Sequence, residues 1–314
     1  MGKKLKAAAA LLGAAAAAEA AGSAYLYRRT MIRYKAKTER TMKMSGVDWE
    51  KYIPLMKERR AWMMEQPHED VWITSHDGLK LHGTYFKGEE GSRAVICFHG
   101  YTSEGLNDYV SLSDYYLKHG FRMLLIDERA HGTSEGNHIG FGNMDRLDGK
   151  RWVEWMIDKA GEDTQILLHG NSMGGATVCM MSGLELPPQV KGIISDCAFT
   201  SMKEVFTHVL HSMYHIPAFP MLQIADWANK KKAGYGLDDL SSAREVRKAE
   251  VPFLFIHGED DVFVPCWMTE EIYKNCASPK TKLIVKGAGH GESYYKDTKG
   301  YESAMDSFIG GVIE

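Results

Sequence analysis

The sequence predicts an α/β fold, with a mostly parallel sheet covered by helices on both faces, and three observations support this. Short apolar runs of strand character alternate with longer helix-like segments along most of the chain. Asp-Gly at positions 77–78 separates two strand-like runs and predicts a β-hairpin at the start of the sheet. The 314 residues, 44% of them hydrophobic, suffice for one large domain with a sizeable core. Alternating strands and helices are typical of such covered parallel sheets.

The elements follow one another in chain order after the hairpin, which is predicted at residues 71–86. Further strands are predicted at 94–98, 122–126, 165–168, 192–195, 252–256 and 282–285. Helices are predicted at 106–119, 144–159 and 173–184. An insertion at about 199–249, rich in methionine and aromatic residues, separates two of the later strands.

A Gly-x-Ser-x-Gly pattern at residues 170–174 makes Ser172 a candidate nucleophile. Gly170 and Gly174 lack a Cβ, so the chain can turn sharply from strand to helix and present the serine hydroxyl at the tip. The positive end of the following helix dipole points at that oxygen. A serine hydroxyl is a poor nucleophile at neutral pH, so it needs a base and an acid that orients the base.

Candidates for both partners follow the serine in the order that this architecture requires. Carboxylates at 259–261 come after the strand at 252–256, and His290 comes after the last predicted strand, among glycines. Chain order Ser, Asp or Glu, then His is the order of α/β enzymes with this serine turn. The sequence therefore predicts a serine-centred catalytic triad.

These motifs resemble those of α/β hydrolases of the serine-esterase and serine-aminopeptidase type, from about Val71 to the C terminus. The stretches are Phe-His-Gly-Tyr at 98–101, Asp-Glu-Arg-Ala-His-Gly-x-Ser-x-Gly at 127–136, the serine motif, and His-Gly at 257–258 with Asp261, Val-Pro at 264–265 and Gly-His at 289–290. The resemblance implies the α/β-hydrolase fold with a helical cap insertion at about 199–249. It also implies catalytic Ser172, Asp261 and His290, and an oxyanion hole from the backbone N–H groups of Tyr101 and Met173.

Alternatives to these assignments remain at the sequence level. Asp260, or Asp196 after the strand at 192–195, could replace Asp261 as the acid. The histidines in the His-Gly turns and in the 127–136 loop are expected to brace those loops. His211 and His215 have the i,i+4 spacing of a metal pair, but the Glu of a His-Glu-x-x-His motif is missing and a helix surface is favoured. No metal and no organic cofactor is expected.

The predicted function is hydrolysis of carboxylic esters through an acyl-enzyme, with a small-molecule ester as substrate. The apolar cap residues favour an apolar acyl or aryl group. An aminopeptidase, an amidase or an acyltransferase would use the same triad, and a non-catalytic binding or membrane-associated protein is an alternative of another class. The net charge of −3 provides no basic field, so nucleic acid is not an expected partner. Five cysteines without a Cys-x-x-Cys pair are expected to be free thiols. The oligomeric state is left open.

The N-terminal residues 1–33 form an alanine-rich apolar segment between clusters of Lys and Arg. This pattern predicts a single-pass membrane anchor and a membrane-associated protein, with the side of the membrane undetermined. A signal peptide cleaved near the small residues 21–24, or an alanine-rich helix in a secreted or cytoplasmic protein, is the alternative. Residues 34–70 are interpreted as a helical linker to a catalytic domain at 71–314.

Overall fold

An eight-stranded sheet forms the centre of the computed structural model, which describes residues 2–33, 44–88 and 91–313. Its strands are β1 His68–Thr74, β2 Lys80–Phe86, β3 Arg93–Phe98, β4 Arg122–Ile126, β5 Gln165–Asn171, β6 Val190–Asp196, β7 Phe253–Gly258 and β8 Lys280–Val285. Their spatial order is β1-β2-β4-β3-β5-β6-β7-β8. The predicted hairpin is β1 and β2; β2 pairs antiparallel with β1 and β4, and the remaining neighbours pair in parallel.

The helices lie between the strands and at both ends of the chain. They are α1 Gly2–Met31, α2 Ile53–Glu65, α3 Gly105–Asp108, α4 Ser113–Lys118, α5 Asp145–Ala160, α6 Met173–Met181, α7 Met202–Ser212, α8 Met221–Ala233, α9 Ser242–Glu245, α10 Cys266–Asn275, α11 Ser293–Lys296 and α12 Thr298–Val312, with short 3-10 helices at Trp49–Tyr52 and Val246–Lys248. The single helix predicted at 106–119 is divided into α3 and α4. Tyr109, which lies between them, points inward and its hydroxyl donates to the backbone oxygens of Phe98 and His169.

Helices cover both faces of the sheet, as the sequence predicts. Successive residues of a strand point to opposite sides of the sheet, so each strand contributes apolar side chains to a core on both faces. In β3, Ile96 lies in one core cluster with Trp152 of α5, whereas Val95 lies in the other with Tyr116 of α4. All four side chains are fully buried. The predicted α/β-hydrolase architecture is therefore confirmed.

A third apolar cluster lies above the carboxyl ends of the strands and joins α1, α7 and α8. The helices α7 and α8 form the predicted helical cap insertion. They pack on Met173 and Phe263, which belong to the loops and helix starts at the strand ends. The cap therefore covers the edge of the sheet where the candidate catalytic residues lie.

The predicted single-pass membrane anchor is wrong. In the described part of the chain, none of the helices combines the length and the apolar character that crossing a bilayer requires. The physical reason is that α1 consists largely of alanine, which is only weakly hydrophobic, and is interrupted by Glu19. The C-terminal half of α1 instead packs along α8, with Tyr27 and Met31 buried. Of the predicted linker, residues 34–43 lie outside the described residues.

Candidate active site

Ser172 lies at the turn between β5 and α6, in the backbone conformation expected of a nucleophile at a sharp strand-to-helix turn. Its φ of 54° and ψ of −109° belong to a region that residues with a Cβ rarely adopt. The backbone N–H of Ser172 donates to the oxygen of Asp196 at 2.8 Å, which fixes the turn against β6. The strained turn aims the side chain away from the sheet.

The two glycines of the serine motif are required by close backbone contacts. A Cβ on Gly170 would overlap the backbone oxygen of Gly174, and a Cβ on Gly174 would overlap the backbone oxygen of Phe98. Any side chain at either position would therefore push α6 away from the strand ends. This close packing is what the sequence argument requires of the two glycines.

The structure brings Ser172, His290 and Asp261 into one hydrogen-bonded chain. The Ser172 hydroxyl lies 2.8 Å from His290 Nε2, and His290 Nδ1 lies 2.6 Å from Asp261 Oδ2. Because a carboxylate only accepts hydrogen bonds, His290 donates from Nδ1, which leaves Nε2 as the acceptor for the serine proton. Asp261 follows β7 and His290 follows β8, so neighbouring parallel strands deliver both side chains to the same edge.

The surroundings of Asp261 keep its carboxylate ionised. Burial raises its pKa, but the nearby charge of His290 and the hydrogen bonds from His257 and His290 outweigh burial and hold the pKa well below its usual range. The other carboxylate oxygen accepts from the backbone N–H groups of Phe263 at 2.9 Å and Val264 at 2.8 Å. These contacts fix both the charge and the orientation of the acid.

The charge on Asp261 acts in turn on His290. Burial lowers the pKa of the imidazole, but the charge of Asp261 and its hydrogen bond to Nδ1 outweigh burial and raise the pKa. The ring also packs edge-on against Phe263, with centroids 5.0 Å apart. His290 therefore has a fixed orientation and an enhanced proton affinity.

The two alternative acids lie elsewhere. Asp260 is exposed. Asp196 is buried at the end of β6, where Oδ2 accepts from the Tyr301 hydroxyl at 3.0 Å and burial raises its pKa. The carboxylate that is hydrogen-bonded to His290 is that of Asp261.

Three other histidines hold loops, as expected. His99 donates from Nδ1 to the oxygen of Gly100 and accepts at Nε2 from the N–H of Glu128. His131 accepts from the N–H of Thr102 at 3.2 Å, and His257 contacts Thr269 Oγ1 at 2.7 Å and the oxygen of Val264 at 2.8 Å. Each ring thus stabilises a loop beside the serine or the acid.

The spacing of His211 and His215 does not place them on one helix. Helix α7 ends at Ser212, and His215 has a positive φ of 53° beyond it. Within the described ranges, the group with metal-ligand spacing is His76 with Asp77 and Asp148. Both carboxylates of that group already bind the guanidinium of Arg129, at 3.0 Å and 2.6 Å.

The loop after β3 carries Tyr101, the predicted second oxyanion donor, and approaches the serine closely. A Cβ on Gly100 would lie 3.4 Å from Ser172 Cβ. Asp108 Oδ2 accepts from the Gly100 N–H at 2.6 Å and from Asn171 Nδ2 at 3.1 Å. Asp108 therefore ties the loop after β3 to the turn that carries the serine. Sequence reasoning missed Asp108, since no motif distinguishes it from other acidic residues.

Two cavities meet at Ser172. The outer cavity, of about 380 Å³, is lined by His290, Trp49, Met56 and Tyr295 among others. The inner cavity, of about 100 Å³, is almost entirely apolar and lies under α1, α7 and α8. Of the two residues predicted to donate N–H groups to the oxyanion, Tyr101 lines both cavities and Met173 lines the inner one.

A mostly parallel eight-stranded sheet, with a buried serine at a strand-to-helix elbow and a histidine and an aspartate after the last two strands, defines an α/β hydrolase. Within that class, the chain belongs to the serine aminopeptidase S33 family, whose sequence profile matches residues 89–249. The family resemblance of the motifs is thereby confirmed.

Individual proteins are similar to this chain in sequence or in fold. YqkD of Bacillus subtilis is 30% identical over 237 residues, which cover 76% of this chain and 77% of YqkD. The fold is similar to that of the Pyrococcus furiosus esterase Pf2001, with a TM-score of 0.67 at 20% identity, covering 80% of this chain and 93% of the esterase. It is also similar to an acetyl xylan esterase from Paenibacillus sp. R4, with a TM-score of 0.59 at 16% identity, covering 91% and 98% of the two chains.

Proposed function

We propose that this protein is a serine hydrolase that cleaves carboxylic esters of apolar acyl or aryl groups through an acyl-enzyme. The observation that carries the proposal is the continuous hydrogen-bonded chain from Ser172 Oγ through His290 to Asp261. Binding alone requires neither a strained serine nor a base in contact with its hydroxyl. Both are what nucleophilic catalysis requires.

The mechanism follows from the orientation of these groups. Ser172 Oγ attacks the ester carbonyl carbon while His290 Nε2 takes the hydroxyl proton. The carbonyl oxygen becomes negative and is stabilised by the N–H groups of Tyr101 and Met173. The bond to the alcohol oxygen then breaks as His290 returns the proton to that oxygen. Water, deprotonated by His290, attacks the acyl-serine; His290 then returns this proton to Ser172 Oγ as the bond to the acyl carbon breaks and the carboxylic acid leaves.

We infer that the two parts of the ester lie on opposite sides of the serine. The leaving alcohol receives its proton from His290, so it belongs in the outer cavity, which His290 lines. The acyl group then extends into the inner cavity. The apolar walls of the inner cavity support an apolar acyl group.

The same geometry favours an ester over an aminopeptidase substrate. An aminopeptidase must hold the substrate ammonium, for which a free carboxylate is the usual partner. Among the described residues that line the two cavities, the one acidic side chain is Asp108. Its oxygens already accept from Gly100, Asn171 and Ser103.

The test combines covalent labelling with turnover of the full chain. Wild type is expected to react with a fluorophosphonate and to hydrolyse p-nitrophenyl esters, and Ser172→Ala is expected to do neither. Ser182→Ala, at the other end of α6, is the matched control and should keep both activities. Comparing an ester and an anilide of one acyl group separates esterase from amidase. Folded wild type that neither labels nor turns over ester would refute the proposal.

A further inference from the structure

The C-terminal half of α1 forms one wall of the inner cavity. Ser23, Leu26, Tyr27, Thr30 and Met31 line it from this helix. Their spacing of three and four residues places them on a single helix face. The segment read from sequence as a membrane anchor thus borders the cavity that also reaches Ser172.

This wall is bonded to the cap on one side. On the other side it is bonded to the loop after β3 that carries Tyr101, which we call the oxyanion loop. The buried Tyr27 hydroxyl donates to Asn229 Oδ1 of α8 at 3.2 Å. The Tyr101 hydroxyl donates to the backbone oxygen of Thr30 at 3.1 Å. The backbone N–H of Ile139 donates to the backbone oxygen of Met31 at 2.9 Å. The end of α1 is therefore held by bonds to three separate parts of the chain: α8, the loop after β3 and the loop before α5.

Gly22 of α1 and Met221 of α8 face each other. A Cβ on Gly22 would lie 3.6 Å from Met221 Cε, at van der Waals distance, so a methyl group would fit between the two residues. Met221 lines the same cavity from α8. The two helices therefore border the inner cavity side by side.

The inner cavity is small for an acyl group. An apolar cavity of about 150 Å³ accepts the six carbons of benzene. The inner cavity, of about 100 Å³, has space for about four carbons on that scale. We infer that the 23–31 segment of α1 is the wall that restricts the acyl group to about four carbons, which narrows the proposed acyl and aryl groups to short aliphatic acyl groups.

This inference rests on the proposed esterase function, and it is tested with p-nitrophenyl acetate, butyrate and octanoate on the full chain. The leaving group is the same in all three, so ratios of kcat/KM report on the acyl site alone. Wild type is expected to prefer butyrate to octanoate at least tenfold. Leu26→Ala should lower that preference at least tenfold, because it removes side-chain carbons from the wall.

Two further variants keep the test independent of folding. Leu26→Trp fills the cavity and should raise the ratio of kcat/KM for acetate to that for butyrate. This shift towards shorter acyl chains is opposite to the shift expected of Leu26→Ala, and partial unfolding cannot produce both. Leu11→Ala makes the same truncation on the same helix at a side chain that is 72% exposed, and its ratios should equal those of wild type.

The outcomes separate the two proposals. If Ser172 is labelled and esters are hydrolysed, but Leu26→Ala and Leu11→Ala share the wild-type ratios, the α1 wall is refuted and the esterase stands. Wild type that prefers octanoate also refutes the wall. Folded wild type without labelling or turnover refutes both.

Discussion

The catalytic chain and the inner cavity are built in different ways. Ser172, Asp261 and His290 follow three strands of the buried sheet, and each is less than a tenth exposed. The inner cavity is formed by helices outside the sheet, which leave Phe219 71% and Trp227 64% exposed on the cap. The proposed catalytic side chains are therefore attached to the buried sheet, whereas the proposed acyl site depends on how helices dock onto it. Changes in the first region should alter the rate for every ester, and changes in the second should alter the choice among esters.

The largest expected effect on the rate among these changes concerns the acid. Asp261→Asn keeps the shape but not the charge, so His290 loses the partner that fixes its tautomer, and kcat should fall by about 10⁴-fold. The loss should be equal for acetate and butyrate esters. Asp260→Asn, at the exposed neighbour, is the control and should stay within a few-fold of wild type. Steady-state kinetics measure kcat for both variants. A large loss of kcat in Asp260→Asn alone would make Asp260, and not Asp261, the acid.

A smaller effect is expected at Asp108, which we propose as a positioning residue for the oxyanion loop. Asp108→Asn weakens the bond to the Gly100 N–H, so the loop loses its alignment and kcat should fall by roughly 10- to 100-fold. KM and the acyl-chain ratios should change less than kcat, since the walls that α1, α7 and α8 contribute to the inner cavity stay in place. Asp114→Asn, which removes an ion-paired carboxylate on α4, is the matched control. A selective rise in KM would contradict the positioning role.

The pH dependence tests the link between Asp261 and His290. Catalysis requires the neutral imidazole, and Asp261 raises the pKa of His290 above its ordinary 6.5. Activity should therefore rise with pH through that raised pKa, and about a tenth should remain one pH unit below it. In Asp261→Asn the residual activity should have its acid limb at lower pH. An acid limb that stays in place would show that His290 does not titrate under the influence of Asp261. The profile of kcat/KM for p-nitrophenyl acetate measures this.

The two regions also differ in how much of them could be predicted from sequence. The serine turn is local: Gly170 and Gly174 are required by contacts within a few residues of Ser172 or with the adjacent strand end. The positions of Asp261 and His290 follow from parallel strands, whose carboxyl ends meet at one edge. The strand pattern therefore sufficed to predict the α/β fold and a triad at that edge, whereas the choice of Asp261 over Asp260 and Asp196 came from the family resemblance.

Two features were not predicted from the sequence: the docking of α1 on α8 and the contacts of Asp108. Both depend on contacts between distant segments. Alanine-rich composition alone does not distinguish a membrane helix from one whose face is buried by α8, because Tyr27 and Asn229 are 202 positions apart in sequence. Asp108 acts through Gly100 and Asn171, and Asn171 is 63 positions away. Neither pairing leaves a periodicity or a motif in the sequence.

The smallest predicted effect separates the stability of the cap from catalysis. Tyr27→Phe removes a hydroxyl that donates to Asn229, a side chain with no exposed surface, and so leaves a buried acceptor without this donor. Such a loss costs about 1–2 kcal/mol of unfolding free energy. Tyr25→Phe, on the exposed side of α1, should cost less than about 0.5 kcal/mol. Urea unfolding measures both, and hydrolysis of the acetate ester should stay near wild type because the strand ends are unchanged. Equal destabilisation by the two variants would mean that α1 does not dock through Tyr27, whereas a loss of acetate hydrolysis in Tyr27→Phe would mean that the cap and the catalytic chain are not independent.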